Sequence, residues 1–242
     1  MTPAAEPQST VDPRAYEKIN FGCGYDKREG YLNLDMDPAC HPDILLTTTD
    51  LTFLPKGHFS EIYAKDVLEH IPRTQTLNIL LEFASLLRTG GDLMVQTTSI
   101  PDLARRLSES ASFADEYGWT ICLFGTQAHP GDFHYTGFTE RTMAVHLAAA
   151  GFEIIDRELI DGWMMRFSCR KIASWEDLLN DNVQDDLFLQ RAYQYFFSRD
   201  LDETGTIHFG GQLKGNRPRR EVLKEIGTSP ERLFVTARRL AL

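Results

Sequence analysis

The chain has 242 residues, 42% hydrophobic and 25% charged, with a formal net charge of −10. That length buries a full core and fits one large domain plus a small one. The acidic balance excludes a general nucleic-acid binder, which needs clustered Lys and Arg against phosphate.

The opening stretch MTPAAEPQSTVDP has no basic start and no apolar segment, so residues 1–15 are expected to be a flexible leader, neither signal peptide nor anchor. No run approaches the ~18 apolar residues of a membrane span. Strands are expected at 18–22 (KINFG), 31–36 (YLNLDM), 43–46 (DILL), 60–65 (SEIYAK), 92–98 (DLMVQTT), 152–159 (FEIIDREL) and 163–170 (WMMRFSCR). Helices are expected at 74–88, ended by Gly90-Gly91, at 102–110 behind Pro101, and at 139–150 between Thr139 and Gly151. Such alternation implies an α/β, doubly wound, mostly parallel sheet. The Asp161-Gly162 turn makes the last two strands a hairpin, which puts an antiparallel strand near one edge.

The run "KINFGCGYDKREGYLNLDMDP" poses the first chemical question. Gly22-Cys23-Gly24 lets a ligand approach the backbone, and Asp35 can accept hydrogen bonds from two ribose hydroxyls. Only ten residues separate Gly24 from Asp35, about half the ~20 of a dinucleotide site. No room is left for the helix whose N-terminus holds a pyrophosphate. The stretch is therefore either a plain turn or the site of a nucleoside cofactor without phosphate. Other strand ends are polar as well: Asp50-Leu51, Lys65-Asp66 running into Glu69-His70, and Thr97-Thr98-Ser99. Ligands of parallel sheets sit at that edge.

The four cysteines (23, 40, 122 and 169) form no CxxC, and no ligand spacing demands a metal. A reduced, cytoplasmic setting is the simpler reading. Among the histidines, His70, His129 and His134 lie near strand ends or in the loop 124–138, which also holds Gln127, Asp132 and Tyr135. A glycine-punctuated loop of this composition suits acceptor binding, with Gln127, His129 and Tyr135 as contacts.

Residues 172–185 read as an acidic linker containing at most a short helix, followed by an all-helical domain, 186–242, with helices at 186–198, 218–226 and 230–240. Eight acidic residues fall within 176–203 and eight basic ones within 214–239. These are two faces that attract each other, or a basic patch facing an anion or partner.

"INFGCGYDKREGYLNLDM", "DLTFLP", "IYAKDVLEHIP" and "LLRTGGDLMVQTTSIPD" resemble segments of class I S-adenosylmethionine-dependent methyltransferases, in a subgroup with a short glycine-motif connection and an LEH motif. The resemblance covers about residues 16–170 and implies a Rossmann-like methyltransferase domain over 16–171. It also implies S-adenosylmethionine as cofactor. Gly22 and Gly24 would contact its amino-acid part, with Phe21 and Cys23 in the same site. Asp35 would hold the ribose, Met36 and Leu51 would flank the adenine, and Asp50 would bond its amine. Lys65 and Asp66 would lie under the sulfonium. His134 is the preferred base, with His70 and Asp66 second. The tail, with Arg199, Asp202, Gly205, Ser229, Pro230 and Glu231, is similar to a helical domain of uncharacterised function found in bacterial surface-polysaccharide enzymes. Asp202 and Gly205 are expected to form a turn. The acceptor implied is a sugar or polysaccharide hydroxyl, with no nucleic acid and no membrane span, and with the tail joining subunits or a biosynthetic partner. The alternatives are a small-metabolite methyltransferase and a non-catalytic cofactor-binding scaffold.

Overall fold

A computed structural model describes residues 8, 9, 11–129, 131–180 and 182–242. Within them lie eight strands of one sheet: β1 (Gln8–Ser9), β2 (Lys18–Phe21), β3 (Leu32–Asp35), β4 (Ile44–Leu45), β5 (Phe59–Lys65), β6 (Leu87–Thr98), β7 (Phe152–Ile160) and β8 (Met164–Lys171). Their order is β1-β4-β3-β2-β5-β6-β8-β7. Strands β4, β3, β2, β5 and β6 run parallel, and β8 enters antiparallel between β6 and β7. This is the Rossmann-like, mostly parallel arrangement with an antiparallel strand near one edge. Asp161 and Gly162 both take positive φ in the β7–β8 turn, which the Trp163 N–H closes on the Ile160 carbonyl at 3.1 Å. Of the expected flexible leader, residues 1–7 and 10 lie outside the described residues. Gln8 and Ser9 pair with Leu45 and Ile44.

The helices of the first part are α1 (Arg73–Leu86), α2 (Ile100–Ser108), α3 (Phe113–Phe124) and α4 (Glu140–Ala149). One sheet face buries Ile19, Phe21, Ile62, Ala64, Leu93, Val95 and Phe167. Against it α1 sets Phe83 edge-on to Phe21, ring centroids 5.0 Å apart. The alternate residues point to a polar face, where Lys18 pairs with Glu61 at 2.9 Å and Arg170 with Asp92 at 3.2 Å. Arg28 stacks on the Tyr63 ring at 3.4 Å on the same face. The short connections after β2 and β3 hold no α-helix to cover this face.

Two local expectations need correction. Gly90-Gly91 does not stop a helix; it lies inside β6, which starts at Leu87 opposite Phe59, with a register shift and φ +74 at Gly90. Asp202 and Gly205 do not form a free turn. Asp202 caps the N-terminus of a helix by accepting the Gly205 N–H at 2.7 Å.

The C-terminal part holds α5 (Asp185–Phe197), α6 (Glu203–Lys214), α7 (Arg219–Gly227) and α8 (Pro230–Arg239). Gly205 lets α6 approach α5, because a Cβ there would overlap the Tyr193 hydroxyl. The preceding segment is packed against α1: Trp175 is buried and donates to the Leu81 carbonyl at 3.2 Å. Many basic side chains of the tail are committed within the chain, Arg199 to Glu231, Arg219 to Asp185, and Arg217 to Glu225.

Glu82 on α1 sits at the centre of a further cluster. Its carboxylate is fully buried and contacts Lys56 at 2.9 Å, Lys224 at 2.7 Å and Arg220 at 3.4 Å. Burial alone would raise its pKa, but these cations outweigh it and hold the carboxyl below its ordinary value of 4.5. Glu82 thus contributes stability above the carboxylate range that is lost as pH falls through its lowered pKa. Urea unfolding of Glu82→Gln at pH 7 should show a loss on the order of 2–4 kcal/mol, because Lys56, Lys224 and Arg220 then lose their shared carboxylate. The deficit should shrink as the pH is lowered toward 3. A loss independent of pH would remove the ion cluster as its cause.

Candidate active site

The carboxyl ends of the parallel strands meet at one edge, where β2 runs into Gly22-Cys23-Gly24. Gly22 has φ +66, and a Cβ there would overlap the Val67 side chain. Gly24 has φ +49 and nothing within 4 Å of where a Cβ would sit. The loop is tied to β3, because Gly24 N–H donates to Asp35 Oδ2 at 2.7 Å and Asp37 N–H to Asp35 Oδ1 at 2.8 Å. Each oxygen of that carboxylate keeps a further acceptor direction. Cys23 is buried, and burial followed by the nearby Asp35 pushes its thiol up to about 12, which makes it inert as a nucleophile.

Around this loop, Leu51 is fully buried and Met36 is 56% exposed. Phe21 is a core side chain and offers a ligand only its backbone. Burial pulls the Asp50 carboxyl up, but hydrogen bonds from Thr52 and the charges of Lys224 and Lys56 hold it below the usual range. Lys65 pairs in register with Gln96, which pairs with Arg166, so Lys65 belongs to the polar sheet face.

Two asparagines that the sequence reading passed over organise the loop. Asn20 donates to the Asp26 carbonyl at 2.9 Å and to Asn33 Oδ1 at 3.0 Å. Asn33 Oδ1 also takes the Arg28 N–H at 2.8 Å, and its amide donates to the Tyr31 carbonyl. Their signal was an amide inside each of two apolar strands, which burial tolerates only when it is hydrogen-bonded.

Beside the loop lies a cavity of about 230 Å³, lined by Asp66, Glu69, His70, Thr98, Ile121, Cys122, Gly125, Thr126, Asp132, His134, Trp163 and Met164. The lining contains three carboxyls and no Lys or Arg. A wider depression of about 320 Å³ lies elsewhere, on the polar sheet face, between Glu61, Asp92 and Arg170, which have partners of their own. Asp66 has φ +51, and burial raises its pKa against the pull of Lys65 and Gln96. Glu69 is buried, accepts from the Thr97 hydroxyl at 2.9 Å, and is driven by burial to about 7. Its carbonyl accepts the Tyr135 and Thr136 N–H groups at 2.8 and 3.1 Å. The sequence names Glu69 beside His70 at a strand end but assigns it no role. The signal available was its place between a strand end and His70.

The two histidines meet edge to face, ring centroids 4.7 Å apart. His70 Nδ1 lies 3.2 Å from the Phe133 carbonyl, which can only accept, so Nδ1 carries the proton and Nε2 the free lone pair. His134 is shifted below 6.5 by burial and by His70, so its ring is neutral at pH 7. Its Nδ1 is buried and has no hydrogen-bond partner among the described residues.

The structure thus brings His134, His70 and Asp66 together. It does not bring Gln127, His129 or Tyr135 into the lining. Gln127 (φ +58) and His129 are exposed on the outer loop, and Tyr135 stacks on Phe133 at the surface. Helix α3 roofs the cavity through Ile121 and Cys122, although none of its residues is buried. Among the described residues no group of three His, Cys, Asp or Glu is placed to hold a metal, and no helix is long and apolar enough to cross a membrane.

Residues 172–234 match a domain of unknown function, DUF4214. Comparison with curated proteins returns no match. The fold is similar to a 1,6-didemethyltoxoflavin-N1-methyltransferase of Burkholderia thailandensis with bound 1,6-didemethyltoxoflavin and S-adenosylhomocysteine, at 15% identity over 64% of this chain and 71% of that one, TM-score 0.44. It is also similar to an S-adenosylmethionine-dependent methyltransferase from Methanosarcina mazei (15% identity, 66% and 94% covered, TM-score 0.47). A third structure of this kind, described as a putative methyltransferase, comes from Listeria monocytogenes (12% identity, 67% and 94% covered, TM-score 0.45).

Proposed function

We propose that the protein is an S-adenosylmethionine-dependent methyltransferase that O-methylates a sugar hydroxyl in bacterial surface-polysaccharide assembly. The observation that carries this reading is the buried, unpartnered Nδ1 of His134, in a cavity beside a glycine loop stapled to Asp35. Gly22 and Gly24 leave backbone open to the cofactor's amino-acid part, and Asp35 keeps acceptor directions for two ribose hydroxyls. Met36 and Leu51 border the adenine position, and Asp50 remains ionised to accept from its amine. When bound, the cofactor supplies a methyl group on a positively charged sulfur. Asp66 is the favourable neighbour for that charge, and Lys65, on the polar sheet face, is turned from it. His134 takes the acceptor's proton at Nδ1, with His70 and Asp66 beside it. Gln127, His129 and Tyr135 are left to contact the acceptor outside the cavity.

A lining of carboxyl, hydroxyl, imidazole and aromatic groups without Lys or Arg disfavours a phosphate and suits a neutral polyol better. The sugar itself rests on the company that similar tails keep. The cavity volume favours a second reading, a small-metabolite methyltransferase, because about 230 Å³ lies below the common range of ~300–1,000 Å³ for ligand pockets. A scaffold without turnover has less support from an open glycine loop, Asp35 and an imidazole whose Nδ1 has no hydrogen-bond partner among the described residues. The proposed setting is cytoplasmic, with the helical tail joining subunits or a biosynthetic partner.

Calorimetric titration with S-adenosylmethionine and S-adenosylhomocysteine tests the cofactor, and no binding at millimolar ligand would sink it. Asp35→Ala should weaken binding about 10- to 100-fold, the worth of one or two charge-assisted hydrogen bonds. His134→Ala should retain cofactor affinity and lose about 10²–10⁴-fold in turnover. Wild-type turnover in that variant would remove His134 from the mechanism.

A further inference from the structure

Glu69 is a carboxyl that the reading above leaves without a task. It precedes His70 in the chain, and its carbonyl holds the N–H of Tyr135, the residue after His134. The backbones that carry the two histidines are therefore tied to the same residue, and Glu69, His70 and His134 line one cavity. The carboxyl is buried, with the Thr97 hydroxyl as its side-chain donor.

The charges around it are few. Asp66 faces it from the turn after β5 and Asp132 from the loop after α3; Lys65 and Arg166 act on Asp66 from the polar sheet face. No Lys or Arg enters the lining. An ionised Glu69 has only one kind of cation to face inside the cavity, a protonated imidazole. A protonated His134 has Asp132 on its own loop, which pulls its pKa up, and Asp66 and Glu69 on the 66–70 turn.

We propose that Glu69 is the counter-charge of the base: its carboxylate stabilises the imidazolium formed when His134 Nδ1 takes the acceptor's proton. Glu69 is thus a positioning residue acting through His134, and this role rests on the methyltransferase reading. The proton leaves the acceptor hydroxyl and ends on Nδ1, while Glu69 stays ionised and neutralises the ring. Burial lifts the carboxyl to about 7, so Glu69 is ionised above that pH and can then face a protonated ring.

The test follows the ring signals of His70 and His134 by NMR from pH 5 to 9 in isotopically labelled full-length protein, wild type and Glu69→Gln. Binding of S-adenosylmethionine is measured by calorimetry on both. The backbone carbonyl that anchors the loop is the same in either, so Glu69→Gln isolates the charge. The expected result is a His134 titration lowered by about one pH unit in the variant, with cofactor affinity within about twofold of wild type. Unchanged imidazole titrations with cofactor binding intact would overturn the role of Glu69 and leave the methyltransferase reading standing. Absence of binding to the wild type would overturn that reading and this role with it. The wild type provides a check of its own should the variant fail to fold. Its His134 curve should show a second inflection where Glu69 ionises, and a single-step curve would refute the coupling.

Discussion

Arg232→Met is expected to lower unfolding free energy by on the order of 3–5 kcal/mol, because it leaves three helix-end carbonyls without their donors at about 1–3 kcal/mol each. Arg232 on α8 is 5% exposed. Its Nε and Nη2 donate to the Ala149 carbonyl at 3.2 and 2.9 Å, and its Nη1 donates to the Phe196 and Tyr195 carbonyls at 2.7 and 3.3 Å. Ala149 is the last residue of α4, and Tyr195 and Phe196 lie in the last turn of α5. The guanidinium therefore closes two helix C-termini at once, where unpaired carbonyls and the negative ends of two helix dipoles converge. Burial pushes its pKa down to about 10, but it remains charged at neutral pH. Met fills much of the volume and leaves three buried carbonyls without these donors. Lys should rescue only part of the loss, because an ammonium cannot span the same fork. Urea unfolding measures both variants; a Met variant within about 1 kcal/mol of wild type would refute the two-helix plug.

The parts of this molecule legible in the sequence are those held by neighbours in the chain. Gly22, Gly24 and Asp35 belong to one strand–turn–strand unit, so their spacing alone exposed them. Thr139 and Gly151 bracket α4 with a capping box and a positive φ, which are also local. Helix α3 was missed although Phe113, Tyr117, Ile121 and Phe124 recur at helical spacing in FADEYGWTICLF; it lies over the cavity and none of its residues is fully buried. Helix α6 was missed because its glycines and β-branched residues argue against a helix, and its order comes from the approach to Tyr193 on α5. The start of β6 was misplaced because two glycines stop a helix or bend a strand equally well.

The same division runs through the site. Asn20, Glu69 and the unpartnered Nδ1 of His134 depend on contacts such as Thr97 to Glu69, 28 residues apart, or the Asn20 and Asn33 amides meeting across strands. No spacing rule announces these. The sequence could nominate His134 as a base, but not show that its Nδ1 lacks a partner. The acidic and basic halves of the tail were readable as charge. Only the pairs Arg219–Asp185 and Arg199–Glu231 show how much of it is used internally.

Glu69→Gln should gain stability over the wild type as pH rises, and the sign follows from the direction of the shift. The carboxyl is protonated in both states below its ordinary value of 4.5 and contributes no difference there. Between 4.5 and about 7 the unfolded chain releases the proton while the folded one keeps it, so stability falls with rising pH. Above about 7 the slope ends, and the accumulated cost is on the order of 3 kcal/mol. Gln carries no charge at any pH and removes this slope, while losing part of the bond from Thr97. Other carboxyls also shift, Asp66 upward and Glu82 downward, so the quantity to measure is the difference between variant and wild type. Urea unfolding at pH 5 and pH 8 should give near-equal stabilities at the first and a more stable variant at the second. A difference that does not change with pH would mean the buried carboxyl titrates as an ordinary one. A buried acid that weakens the fold at working pH needs a compensating use, and the only side chains in the cavity able to take a proton against it are His70 and His134.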